Sequence, residues 1–153
     1  MKIKLKKDVI NVQNDIVIEE LNTLLRGTYM GIRSFEHYIQ ELDKTELRQE
    51  FQTMQQELKH SAAKLAERIQ DLGGMPADSE GITGSMHSFM HKVMLPDDAN
   101  KIIEDAIKGI DHYGVEYSEE MVRGDLDETS KKMVKEVLDT NRRHVEKLQH
   151  LLH

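Results

Sequence analysis

The sequence predicts an all-α fold: one four-helix bundle with a long crossover between its second and third helices. Three observations predict it. Four long segments each carry a single apolar stripe at alternating three- and four-residue spacing. Charged residues make up 32% of the 153 positions, aromatics only 5%, and there are two prolines, a composition that favours helices over a sandwich or barrel. The first and last links between segments are too short to cross a bundle, whereas the middle one is far longer.

The first segment runs from about Asn14 to Leu42. Ile18, Leu21, Leu25, Ile32, Phe35, Ile39 and Leu42 form its stripe once Thr28 is included. Asp43 and Glu46 read as a capping box between the first two helices. The second stripe is Leu47, Phe51, Met54, Leu58, Ala62, Leu65, Ile69 and Leu72, stopped by Gly73, Gly74 and Pro76. Asp97 or Asp98 is suited to cap the third helix, whose stripe is Ile103, Ile107, Ile110, Gly114, Tyr117 and Met121. Gly124 closes it, and Asp125 with Glu128 reads as a second capping box. Val134, Leu138, Asn141, Val145, Leu148 and Leu152 form the fourth stripe. Each rod is roughly 40 Å long at about 1.5 Å per residue. The link from Gly73 to Pro96 is long enough to run the length of such a bundle. It sets helices two and three parallel and carries a short helical pattern of its own from about Thr83 to Leu95. The division expected is an N-terminal extension over residues 1–13 and a bundle over 14–153. In the extension, Ile3, Leu5, Val9 and Ile10 are available to dock on a partner.

The net charge of −7 argues against a nucleic-acid surface. Lys2, Lys4, Lys6 and Lys7 form the one basic cluster. The absence of cysteine excludes disulfides, thiolate metal sites and cysteine nucleophiles. No apolar run reaches the length of a secretion signal or a membrane span. The expectation is a cytoplasmic protein that binds neither nucleic acid nor membrane.

Several short stretches resemble known helical proteins. Leu21-Asn22-Thr23-Leu24-Leu25 through Phe35 is similar to the start of the first helix of bacterioferritins, and Leu72-Gly73-Gly74-Met75-Pro76 to the end of their second. From about residue 18 onward the chain resembles a bacterial family of ferritin-like four-helix proteins of unknown function, distant relatives of bacterioferritins and rubrerythrins. That family has a Gly-Gly-x-Pro turn leading into a short crossover helix, here Gly84 to Leu95. Its third helix carries an acidic residue and a tyrosine, matched by Asp111 and Tyr117. Its last helix carries a late histidine, matched by His144. The resemblance implies the ferritin-like frame with a single crossover.

Ferritin-like oxidases draw carboxylates from two helices and a Glu-x-x-His pair from each of the other two. The one literal match here is Glu57-x-x-His60. At about 100° per residue, His60 lies roughly 160° from the centre of its apolar stripe and Glu57 about 100° away, so both are expected at the surface. Counting back from the Leu-Gly-Gly turn by the bacterioferritin-like spacing lands on Leu58 and Ser61 instead. Thr28 and Ile110 take the inward positions of the first and third helices, with Asp111 off centre. Asn141 takes the fourth, with His144 one turn on. This set contains no inward carboxylate, and burying an uncompensated cation is costly. The expectation is therefore no metal at the bundle centre and no cofactor, with Thr28, Ser61, Asn141 and His144 left as a buried polar layer. If iron or manganese binds after all, Glu57, His60, Asp111 and His144 are the candidates.

His87 and His91, four apart beside Met86, Met90 and Met94 on the crossover, form a second metal candidate. Packing of the methionines on the bundle, with the histidines outward, is the simpler reading. His37, His112, His150 and His153 read as surface residues. Gly114 is expected to seat a bulky neighbour such as Phe35 or Phe51. Nothing supports nucleophilic catalysis or a phosphate loop. The leading reading is a non-catalytic ferritin-like protein, a homodimer through Tyr29, Met30 and Tyr38, acting in stress physiology or as an interaction module. A metal-dependent oxidase or iron handler and a carrier of a small apolar ligand are the alternatives.

Overall fold

The computed structural model describes residues 2–81 and 98–152, with residues 2–11 in backbone only. The crossover pattern with His87, His91 and its methionines, together with His153, lies outside the described residues. Helix α1 spans Lys2–Glu41 and α2 spans Thr45–Asp71. The third rod has three parts: α3 (Ala99–Gly109), a π-helical segment (Ile110–Glu116) and α4 (Tyr117–Arg123). Helix α5 spans Glu128–Leu151. α1 thus begins well before Asn14, because the extension continues the same helix.

Two apolar clusters fill the bundle end to end. One joins Leu21, Leu24 and Leu25 of α1 to Ala62, Leu65 and Ile69 of α2, Met121 of α4 and Val134 and Val137 of α5. The other joins Phe35, Tyr38 and Leu42 to Phe51, Met54 and Leu58, to Ile102, Ile103 and Ala106 of α3, and to Leu148. Going from the second cluster to the first, both α2 and the third rod run forward in sequence. Helices two and three are therefore parallel, and the chain has the single-crossover bundle layout.

The caps differ in detail from the sequence reading. Lys44 precedes α2 without a side-chain cap, so Asp43 and Glu46 form no capping box. Asp98 caps α3 by accepting from the Lys101 amide. Asp127, not Asp125, caps α5 by accepting from the Ser130 amide at 3.0 Å. Gly73 ends the helix at φ +86°, a conformation that costs glycine little. The Gly73 and Gly74 amides then bond back to Gln70 and Ile69, each at 2.9 Å.

Met30 and Tyr38 are buried, at 2% and 4% exposure, and Tyr29 is half-buried. Tyr113 and Tyr117 pack on Met30, and the Phe35 and Phe51 rings surround Tyr38, whose hydroxyl donates to Asp105. Met30 and Tyr38 therefore belong to the interior, and the apolar surface expected for a dimer is reduced to the half-buried Tyr29.

Asn22 ties down the start of the crossover. Asn22, 8% exposed, donates its amide to the Met75 carbonyl at 3.1 Å and accepts from the Ala77 amide at 2.8 Å. Asn22→Ala leaves both backbone groups unpaired and should destabilise the fold by about 1–3 kcal/mol. Thr23→Ala, which removes only an exposed bond within α1, should be near neutral. Thermal unfolding of the two variants checks the difference.

Candidate functional site

A polar layer crosses the bundle between the two apolar clusters. Thr28, Ser61, Ser118, Asn141 and His144 form it, none more than 7% exposed. They come from α1, α2, α4 and α5, and the π-helical segment sets how they meet. Its wider turns carry one more residue than an α-helical turn. After Ile110 the inward face therefore passes through Tyr113, Val115, Ser118 and Met121, with Tyr117 only half-buried. The regular stripe of the sequence reading missed this shift; an interior run with two glycines, Gly109 and Gly114, is its one visible signal.

Gly114 stands against α5. A Cβ there would lie 2.6 Å from the Asn141 amide nitrogen and 2.9 Å from its Cγ. The space glycine leaves is taken by Asn141, not by Phe35 or Phe51. Across the bundle, Gly27 faces the Tyr113 backbone, 3.3 Å from where a Cβ would sit to the carbonyl oxygen. The Thr28 hydroxyl donates to the Leu24 carbonyl of its own helix at 2.8 Å. A cavity of about 30 Å³ lies among Gly27, Thr28, Gly31, Ile110, Gly114 and Asn141. That is space for water, far below what an apolar organic ligand needs.

His144 is the one titratable side chain in this layer. It is 3% exposed, and its Nε2 lies 3.1 Å from a Glu57 carboxylate oxygen. A carboxylate only accepts, so Nε2 carries the proton and Nδ1 is left as a bare lone pair. Nδ1 is buried and has no hydrogen-bond partner among the described residues; the same holds for the Ser118 hydroxyl. Burial lowers the His144 pKa below its ordinary 6.5, and the Glu57 carboxylate offsets this only in part. Glu57 itself keeps 43% of its side chain exposed, so it reaches the imidazole from the flank of α2.

Of the four residues named as metal candidates, the structure brings together Glu57 and His144. His60 and Asp111 are exposed. His60 borders a surface hollow between α2 and α5 with Ser61, Lys64, Glu136 and Arg143. Leu58 and Ile110, 4% and 6% exposed, fill inward positions. Among the described residues no three His, Asp or Glu side chains stand close enough to hold one metal ion. The di-iron centre implied by the fold does not fit this donor set: one neutral nitrogen and one flanking carboxylate cannot offset the four positive charges of two ferrous ions.

Residues 16–123 match the family described as a domain of unknown function, DUF2383. The chain belongs to this family. No protein with a curated description matches the chain by sequence. Three solved structures are similar in fold. A bacterioferritin-related protein from Bacteroides fragilis, described as a dodecameric thioferritin, is 17% identical with a TM-score of 0.72, over 95% of this chain and 91% of its own. A ferritin-like diiron-carboxylate protein from Bacillus anthracis is 21% identical with a TM-score of 0.73, over 92% and 97%. A DPS protein from Vibrio cholerae is 16% identical with a TM-score of 0.73, over 94% and 92%. At these identities the likeness shows the ferritin-like fold.

Two predictions follow from the polar layer. Gly114→Ala should destabilise the fold by about 1–3 kcal/mol, because the new methyl has to displace Asn141. The penalty should shrink in an Asn141→Ala background, and a double-mutant cycle measures that coupling.

The second concerns pH. The folded-state pKa of His144 lies below 6.5, so the unfolded chain takes up the proton first as pH falls. The contribution of His144 to stability is complete above pH 6.5 and declines below it, toward the folded-state pKa. His144→Gln should flatten this part of the profile, read as a smaller drop in Tm between about pH 7.5 and 5.5 than in the wild type.

Proposed function

We propose that this protein keeps the ferritin-like frame without its di-iron chemistry, and acts as a non-catalytic, self-associating bundle in stress physiology or as a cytosolic interaction module. The observation that carries the reading is the composition of the central layer. Leu58 and Ile110 fill inward positions, the remaining inward groups are uncharged, and the acidic side chains nearby stand on the flanks. A packed centre of this kind stabilises the bundle without a metal. Self-association is supported by the fold, since one similar bundle is described as dodecameric. No helix among the described residues is long and apolar enough to cross a membrane, in keeping with the cytosolic reading. The carrier alternative is disfavoured by the small central cavity, and the oxidase alternative by the donor set.

Metal analysis of protein purified without chelators, followed by loading with ferrous iron under nitrogen, tests the reading. Bound iron and manganese should stay well below one per chain, and oxygen should be consumed no faster than by free ferrous iron. Stoichiometric metal held by Glu57, His60, Asp111 and His144 would establish the oxidase reading in its place.

A further inference from the structure

The bundle ends near Ile18, but α1 does not. The Gly73–Gly74 turn that terminates α2 packs on Ile18, with the position of a Gly74 Cβ 2.8 Å from its Cγ2. Asp125, in the turn between α4 and α5, acts electrostatically on Glu20. Among the described residues the apolar clusters begin at Val17. Upstream, the α1 backbone continues as a helix to Lys2. These fifteen residues add roughly 22 Å at about 1.5 Å per residue.

The overhang carries an apolar face of its own. Positions 5, 9, 12 and 16 hold Leu, Val, Val and Ile at spacings of four, three and four, so they share one register face. This differs from the face that enters the bundle through Val17, Leu21, Leu24 and Thr28. Val12 and Ile16 are 59% and 54% exposed, the two large apolar side chains of α1 most open to solvent among the described residues.

From this placement we infer that the overhang is a self-association surface on which two copies of the chain pair antiparallel through their α1 helices. The stripe is its own complement under a two-fold axis. With the axis between positions 10 and 11, Leu5 lies level with the partner copy's residue 16, and Val9 with its residue 12. Each apolar position is thus matched by another, as an isologous contact requires. Charge selects the same direction. The first turns carry Lys2, Lys4, Lys6 and Lys7, whereas the turns nearest the bundle carry Asp15, Glu19 and Glu20. Antiparallel pairing lays the basic end along the acidic end and sets position 2 level with position 19. Parallel pairing would stack four lysines on four lysines. The same alternation disfavours an anionic lipid surface, which would attract the lysines and repel the three acids.

This inference deepens the self-association part of the proposed function, and the experiment separates the two. Sedimentation equilibrium of the full chain should show a dimer or larger assembly that dissociates on dilution. Val12→Glu with Ile16→Glu should raise the dissociation constant by at least about 100-fold with unchanged helicity, since both sites are exposed. Because the chain has no cysteine, Leu5→Cys and Ile16→Cys proteins report direction. Mixed and oxidised, they should cross-link to each other, while each alone should not. A wild-type monomer at high concentration overturns both readings. An assembly unchanged by the double substitution, or Leu5→Cys linking to itself, overturns this surface alone. So does binding to phosphatidylglycerol vesicles that the double substitution abolishes.

Discussion

The contact between Gly114 and Asn141 sets the distance between the third rod and α5, and much of the interior depends on it. Because residue 114 has no Cβ, the Asn141 amide lies where a methyl group would otherwise stand. The two helices approach closely at mid-height, and the polar layer closes between an apolar cluster above and another below. The π-helical segment carries Gly114 and shifts the residues around it. An uninterrupted α-helix would carry the inward face from Ile110 to Gly114 and Tyr117. The observed face passes to Val115 and Ser118 instead, which turns Tyr113 toward Gly27 and Met30. The widened segment therefore accounts for the cover over Met30, while the missing Cβ of Gly114 accounts for the seat of Asn141.

The frame was legible in the sequence because it depends on repeated signals. Each stripe repeats its apolar spacing many times, so a single misplaced residue changes little. The lengths of the links then leave one topology in which α2 and the third rod run parallel. Burial of Thr28, Leu58, Ser61, Ile110, Asn141 and His144 could be read for the same reason. Features that depend on a single residue were not legible. Asp125 and Asp127 are equally good caps on paper, and only the path of the chain chooses Asp127. Tyr38 lies at the flank of the stripe by register, three residues after Phe35, and its ring fits between Phe35 and Phe51 while its hydroxyl reaches Asp105. A change of helix type in mid-rod leaves no periodic trace, because the stripe on either side is too short to reveal the offset.

Glu57 shows the limit of angular reasoning in another way. Its position on α2 is at the flank of the apolar stripe, as the spacing predicts, and much of its side chain stays in solvent. Three rotatable bonds nevertheless let the carboxylate bend inward to the His144 imidazole. Glu57 is thus not a free surface acid, and of the conditional metal set Glu57, His60, Asp111 and His144 it is His144 that it pairs with. It fixes the tautomer of a buried histidine while much of its own side chain stays in solvent. A fully buried acid–histidine pair would pay the desolvation of both partners.

On the proposed reading, that arrangement would let a ferritin-like bundle hold together without a metal. A di-iron site is held by acids that repel one another once the ion is gone, and in a low-dielectric interior that repulsion is severe. Substituting apolar residues at the inward positions removes the repulsion, and their packing supplies stability that a coordinated ion would otherwise supply. Leu58 and Ile110 fill the space, and Thr28 satisfies its hydroxyl within its own helix. Asn141 is accommodated by a glycine. The groups left over are a histidine nitrogen and a serine hydroxyl, both uncharged. Two neutral atoms without a partner among the described residues cost far less than an unpartnered cluster of carboxylates would.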